Sequence, residues 1–150
     1  MADIRAATEI DCDEIFRIQV AAIRKLPGGS QGKAGIEQWL AGQEPSVYAR
    51  SMTEESFIVA EIGGRVIGWG ALSVPKREIT NVFVDPEYHR RSVGTAIIRR
   101  LETLAGEAGI EIVQLQATGT AIDFYLANGY QSDPPVEPGA EWALMKKRLA

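Results

Sequence analysis

Residues 78–101 read EITNVFVDPEYHRRSVGTAIIRRL, and this order of residue types leaves the backbone few choices. The β-branched and aromatic run ending at Val84 favours a strand. Pro86 has no N–H for a ladder, so behind Asp85 it ends the strand in a turn. A short basic loop with His89, Arg90 and Arg91 follows. Val93, Ile97, Leu101, Leu104, Ala105 and Ala108 then recur at helical spacing. They predict an amphipathic helix that Gly109 stops at its C′ position. A strand, turn, loop and helix in this order aim unpaired first-turn amides at the end of the strand. The helix dipole and two arginines make that point attractive to a phosphate or pyrophosphate, and Gly94 lets a ligand approach the backbone. An ordinary strand–turn–helix with a solvated basic face fits these features equally well. Neither a Walker-type loop nor a Rossmann fingerprint is present, so the two commonest nucleotide-binding signatures are excluded.

The remaining segments predict what surrounds this unit. Residues 4–6 can open a short strand. Asp11 reads as an N-cap, with Glu14 closing a capping box. Ile15, Ile18, Ala22 and Leu26 continue as a helix until Pro27 and the glycines after it. Ile36, Trp39 and Leu40 suggest a second short helix, and Val47 and Tyr48 a third piece. Residues 57–62 and 65–74 are two strands around Gly63–Gly64, a hairpin turn signal. With residues 78–84 they make an antiparallel meander. Residues 110–117 form the next strand, residues 120–128 a short helix closed by Gly129, and Tyr130 and residues 142–145 the last strands. A helix joining the strands at 78–84 and 110–117 makes those two parallel, by a right-handed crossover. The fold class is α/β in an α+β layered form: a mixed, mostly antiparallel sheet of about six to seven strands flanked by about four helices.

Composition narrows the function classes. The 150 residues are 45% hydrophobic, which predicts one domain over 1–150 with a core that needs no disulfide. Cys12 is the only cysteine, consistent with a reducing cytoplasm, and its neighbours Asp11 and Asp13 disfavour a thiolate. No apolar run spans a membrane and no signal-peptide core opens the chain. The net charge of −4 argues against nucleic acid as a partner. No His, Cys, Asp or Glu cluster has metal spacing, so no metal is expected.

Two motifs together resemble a known family. Residues 84–96, VDPEYHRRSVGTA, resemble the acetyl-CoA loop of the GNAT N-acetyltransferase superfamily, V-x-P-x-x-[QR]-x-x-G-x-[GA]. Residues 121–130, AIDFYLANGY, are similar to that family's A-x-x-F-Y-x-x-x-G-[YF] segment. The order of elements along nearly the whole chain is also similar. His89 stands where the family usually has Gln or Arg, and Ser92 where it usually has Gly.

The resemblance implies acetyl-CoA as co-substrate. Its pantetheine arm would add beside main-chain groups of Val82, Phe83 and Val84, where a bulge near Val82 is expected. Its pyrophosphate would lie on the loop of His89, Arg90, Arg91, Ser92, Val93, Gly94 and Thr95. Thr118 stands where relatives often have a cofactor-contacting Asn. Tyr125 would be the general acid for the departing thiolate, against a competing reading as a core aromatic. A main-chain N–H near Val82 or Phe83 would stabilise the oxyanion. Glu78 aligns with a glutamate base of some members; it can equally be an exposed strand-end carboxylate, with a water chain taking the proton. Strand alternation sets Glu78, Thr80, Val82 and Val84 on one face.

The acceptor would be a small-molecule or peptide amine. Its specificity would come from the first two helices and the loops around residues 27–48 and 132–139, with Trp39, Tyr48 and Trp69 either lining an apolar pocket or packing as core. Glu37, Glu44, Glu54 and Glu55 would either attract a cationic amine or sit solvated. The resemblance also implies a homodimer, with the Trp142 strand as the edge that could pair. The competing function is a non-catalytic acyl-CoA-binding or regulatory module.

Overall fold

Gly63 and Gly64 take φ of +57° and +81°, the left-handed pair that a two-residue hairpin turn needs. They join β2 (Ser56–Ile62) to β3 (Arg65–Ser73), and β4 (Glu78–Val84) continues the meander. The computed structural model describes residues 2–25, 42, 44–89 and 91–149. Among them, β1 (Asp3–Ala6), α1 (Cys12–Arg24) and α2 (Ser46–Ser51) precede the hairpin. After β4 come α3 (Val93–Glu107), β5 (Ile112–Thr118), α4 (Ile122–Ala127) and β6 (Trp142–Arg148). The second short helix expected around Trp39 lies outside the described residues.

The strands form one sheet in the order β1-β2-β3-β4-β5-β6. Every neighbouring pair is antiparallel except β4–β5, which is parallel as the crossover through α3 requires. Six strands and four helices among the described residues give the expected mixed layered architecture.

Each face of the sheet carries its own core. Ile58, Ala60, Ile67 and Leu72 pack against Ile97, Ile98, Leu101 and Ala105 of α3 on one face. Ile15 and Ile18 of α1 and Tyr48 of α2 pack against Phe57, Val59, Trp69 and Ala71 on the other. Burial of each large aliphatic contributes about 1.5–3 kcal/mol. The helix over β3 sits close because Gly68 and Gly70 carry no side chain: a Cβ on Gly70 would lie 2.7 Å from Ile97 Cγ2.

Two local expectations change. The capping box lies one turn earlier than expected: Thr8 and Asp11 cap each other across the 3₁₀ turn Glu9–Asp11, while Glu14 pairs with Arg17 at 2.7 Å. Arg5 draws the Asp11 carboxylate toward β1 through bonds of 2.8 and 2.9 Å, so that carboxylate caps no turn of α1. Tyr130 lies outside any strand; only its neighbour Gln131 bridges to Lys146 of β6.

Candidate active site

The sheet opens at its parallel seam. β4 and β5 pair only at Glu78–Gln114 and Ile79–Leu115; beyond these positions they part. The same point carries a β-bulge. Ala71 faces Asn81 but Leu72 faces Ile79, so Thr80 is the extra residue in β4. The bulge therefore lies at Thr80 instead of near Val82. It also breaks the expected face: Ile79, Val82 and Val84 pack with the α3-side core, and Phe83 packs on the α1 side. Alternation then puts Glu78 on the side opposite Ile79, not with Val82 and Val84.

Main-chain direction follows from the ladder. Asp85 N–H donates to the Ile67 carbonyl at 2.8 Å. Residues facing a partner strand alternate along an antiparallel pair, so Asn81 and Phe83 turn their main-chain groups to β3. Val82 and Val84 turn theirs into the gap beside β5. Of the three positions expected to present these groups there, two do so. Phe83 instead sets its ring 5.4 Å from that of Trp69. His89 folds back over the strand end, where its Nε2 donates to the Val84 carbonyl at 3.0 Å.

The loop from β4 to α3 delivers the helix start to the same opening. Asp85 accepts from Glu87 N–H at 3.0 Å and so caps the turn Pro86–Tyr88. Arg90 lies outside the described residues. Arg91 is exposed, its guanidinium 5.4 Å over the Tyr88 ring. Ser92 occupies the N-cap position in the left-handed region, φ 62° and ψ 16°, and caps nothing with its side chain. Among the described residues, the first α3 amide to find a helical acceptor is Ala96, 3.1 Å from the Ser92 carbonyl. The amides of Val93, Gly94 and Thr95 have no main-chain partner among the described residues, as a helix start dictates. Gly94 faces Phe124, whose Cζ lies 3.1 Å from where a Cβ would stand.

α4 supplies the phenol. Tyr125 is 8% exposed, wedged edge-on between the rings of Phe124 and Tyr130 at 5.1 and 5.8 Å. Burial pushes its hydroxyl up to about 12, and that hydroxyl has no hydrogen-bond partner among the described residues. It therefore keeps its proton throughout the neutral range and has a free donor. Tyr130 differs: its hydroxyl donates to Glu102 at 2.8 Å, and Lys147 bonds the same carboxylate at 3.1 Å. This partly buried group ties α3, β6 and the end of α4 together.

The other expected residues are scattered around the opening. Glu78 is half-buried at the closed end, where its strand pairs on both sides. Thr118 ends β5, exposed, its Oγ1 3.5 Å from that of Thr120. Tyr48 and Trp69 are core: the Tyr48 hydroxyl donates to Gln19, and Trp69 stacks on Phe57 at 5.3 Å with its buried indole N–H unpartnered among the described residues. Trp39 and Glu37 lie outside the described residues. Cys12 is buried, and burial together with Glu9, Asp13 and Asp11 raises its thiol.

Two arrangements escaped the sequence reading. Thr80 at the bulge donates to Glu55, which brings a carboxylate from the start of β2 across β3 to the point where the seam opens. Arg17 of α1 bonds Asp85 at 2.9 Å. The Asp-Pro order at the turn was the available signal for Asp85, since an aspartate there caps. Nothing local marks Arg17 as its partner.

Comparison with known proteins agrees with this geometry. The profile of the Acetyltransferase (GNAT) domain matches residues 53–132. An uncharacterized N-acetyltransferase of Methanocaldococcus jannaschii is 27% identical over 158 residues, covering 97% of this chain and 66% of that protein. The chain thus spans 66% of that relative's length. A GCN5-related N-acetyltransferase from Rhodopseudomonas palustris superposes with a TM-score of 0.84 at 28% identity, covering 99% of this chain and 96% of that one. PaiA N-acetyltransferase from Thermoplasma acidophilum, solved in complex with coenzyme A, also gives 0.84, at 18% identity and with 99% of each chain covered.

Proposed function

Since this chain belongs to the GNAT acetyltransferase family, we propose that it moves an acetyl group from acetyl-CoA to a primary amine by direct attack within a ternary complex. The observation that carries this reading is the parting of β4 and β5 after Ile79 and Leu115, with the main-chain groups of Val82 and the N–H of Val84 turned to one wall. A pantetheine arm has amides of its own and completes such a gap as an added strand. The α3 amides of Val93, Gly94 and Thr95, with Arg91 beside them, suit a pyrophosphate at the gap's end. Structural relatives in complex with coenzyme A or acetyl-CoA support the choice of ligand.

The chemistry needs an oxyanion donor, a proton for the leaving thiolate and a neutral amine. Val82 N–H, turned into the gap two residues past the bulge, is the donor for the developing oxyanion. The amine nitrogen bonds to the acetyl carbon, the C–S bond breaks, and the Tyr125 hydroxyl gives its proton to the thiolate. The amine's surplus proton leaves through water, with Glu78 as the carboxylate that receives it. Thr118 and His89 complete the cofactor's surroundings. The acceptor is a small-molecule or peptide amine, and the lone buried cysteine fits a cytoplasmic setting.

A thiol-release assay with acetyl-CoA across a panel of amines tests the proposal. Turnover with at least one amine is expected, and Tyr125→Phe should lower kcat about 100-fold with little change in the KM for acetyl-CoA. Release unaffected by Tyr125→Phe would remove the acid assignment. Coenzyme A binding without turnover of any amine would favour a non-catalytic acyl-CoA module.

A further inference from the structure

We infer that Arg17, on α1, is a positioning residue for acetyl-CoA, acting through Asp85 on the turn that launches the cofactor loop; this rests on the acetyltransferase reading above. Asp85 is 4% exposed and every polar group it has is engaged. Its N–H holds Ile67 at 2.8 Å, its carbonyl accepts from Tyr88 N–H at 2.8 Å, and one carboxylate oxygen accepts from Glu87 N–H at 3.0 Å. The other oxygen accepts from Arg17 Nη1 at 2.9 Å.

The guanidinium that makes this bond is itself fixed in direction. Arg17 Nη2 donates to the Val66 carbonyl at 3.0 Å and Nε to Glu14 at 2.7 Å. One planar group thus ties α1, β3 and the end of β4 together, which the point charge of a lysine cannot do. Without it the Asp85 carboxylate is a buried charge with no cation bonded to it. Its way out is to rotate toward water, which gives up Glu87 N–H and loosens the turn. Tyr88 closes that turn and lies under the Arg91 guanidinium. A loosened turn therefore carries Arg91 and the start of α3 away from the position that grips the diphosphate. Tyr125 takes no part in this chain of contacts.

The test compares wild type, Arg17→Gln, Arg17→Lys and Asp85→Asn as full chains. Calorimetry with coenzyme A on wild type comes first: no binding there would sink the acetyltransferase reading itself. With binding present, Arg17→Gln is expected to raise the KM for acetyl-CoA and the Kd for coenzyme A about tenfold, with kcat and the amine KM within about twofold. Arg17→Lys should recover only part of the loss, and Asp85→Asn should match Arg17→Gln. The double variant should be no worse than either single one, since both remove one interaction. A purely structural role predicts a lower melting temperature and a smaller active fraction, hence reduced kcat at unchanged KM, and that pattern overturns the inference. Should Asp85→Asn fail to fold, the two Arg17 variants, which keep the Asp85 carboxylate and its own turn bonds, decide the matter alone.

Discussion

Replacing Gly70 by alanine tests how the packing of α3 governs the site. The new Cβ would stand 2.7 Å from Ile97 Cγ2, 2.9 Å from Leu101 Cδ1 and 3.2 Å from the Asn81 carbonyl oxygen. Carbon atoms settle about 3.5–4.0 Å apart, so the helix must withdraw by about 1 Å or its side chains must leave their rotamers. Ile97 and Leu101 are both fully buried, and a β-branched residue in a helix has essentially one χ1 to use. The overpacking costs about 1–3 kcal/mol. The stiffer unfolded chain returns about 0.4–1 kcal/mol. A net loss near 1–2 kcal/mol lowers the melting temperature by about 2–8 °C in a chain of this length. The same retreat drags the amides of Val93–Thr95 away from their target, and coenzyme A should bind about tenfold more weakly. Thermal unfolding and calorimetry read the two effects separately. Gly70→Ala/Ile97→Ala, with the offending Cγ2 removed, should be less destabilised than the two single losses summed. Unchanged stability and unchanged affinity in Gly70→Ala would refute the claim that the glycine sets the height of the helix.

Two further outcomes follow from residues already placed. Ser92→Gly relieves a left-handed conformation worth about 1–2 kcal/mol against a chain-entropy loss of about 0.5–1 kcal/mol, so the melting temperature should rise by about 1–2 °C; a fall in coenzyme A affinity would instead give the hydroxyl a phosphate. Asp11→Asn should cost about 2 kcal/mol, measured by denaturation at pH 7, because a carboxylate held by two Arg5 bonds is lost. Those Arg5 bonds, together with Thr8, hold the Asp11 carboxyl below its usual range despite its burial. Its contribution is therefore complete above about pH 4 and disappears as pH falls through the lowered value. The gap between wild type and Asp11→Asn should close in acid, and a gap constant down to about pH 2 would contradict the pairing.

The sequence revealed elements better than it revealed registers. Periodicity located α3 because Val93, Ile97, Leu101 and Ala105 all face the sheet and are buried; Ala108, counted in the same stripe, falls at the C-cap and is exposed. The free amides at the head of that helix follow from local geometry, which is why the loop was legible. Thr80 as the extra residue was not, since a bulge is chosen by what β3 offers across the ladder. That single insertion moved Glu78 off the face of Val82. The Asp11 cap failed for a similar reason: two overlapping boxes were available, and Arg5 on β1 decided between them. Arg17 and Asp85 are far apart in the chain, and only the docking of α1 on the end of β4 brings their charges together.

The seam between β4 and β5 makes the sheet two panels joined at Ile79–Leu115. Anything that bridges the open length also splints the panels, so occupancy should slow hydrogen exchange in β5 and β6 far from any direct contact. Stability would then track the supply of the bridging molecule by mass action. Cells short of that molecule would hold a floppier, more readily degraded population of the protein.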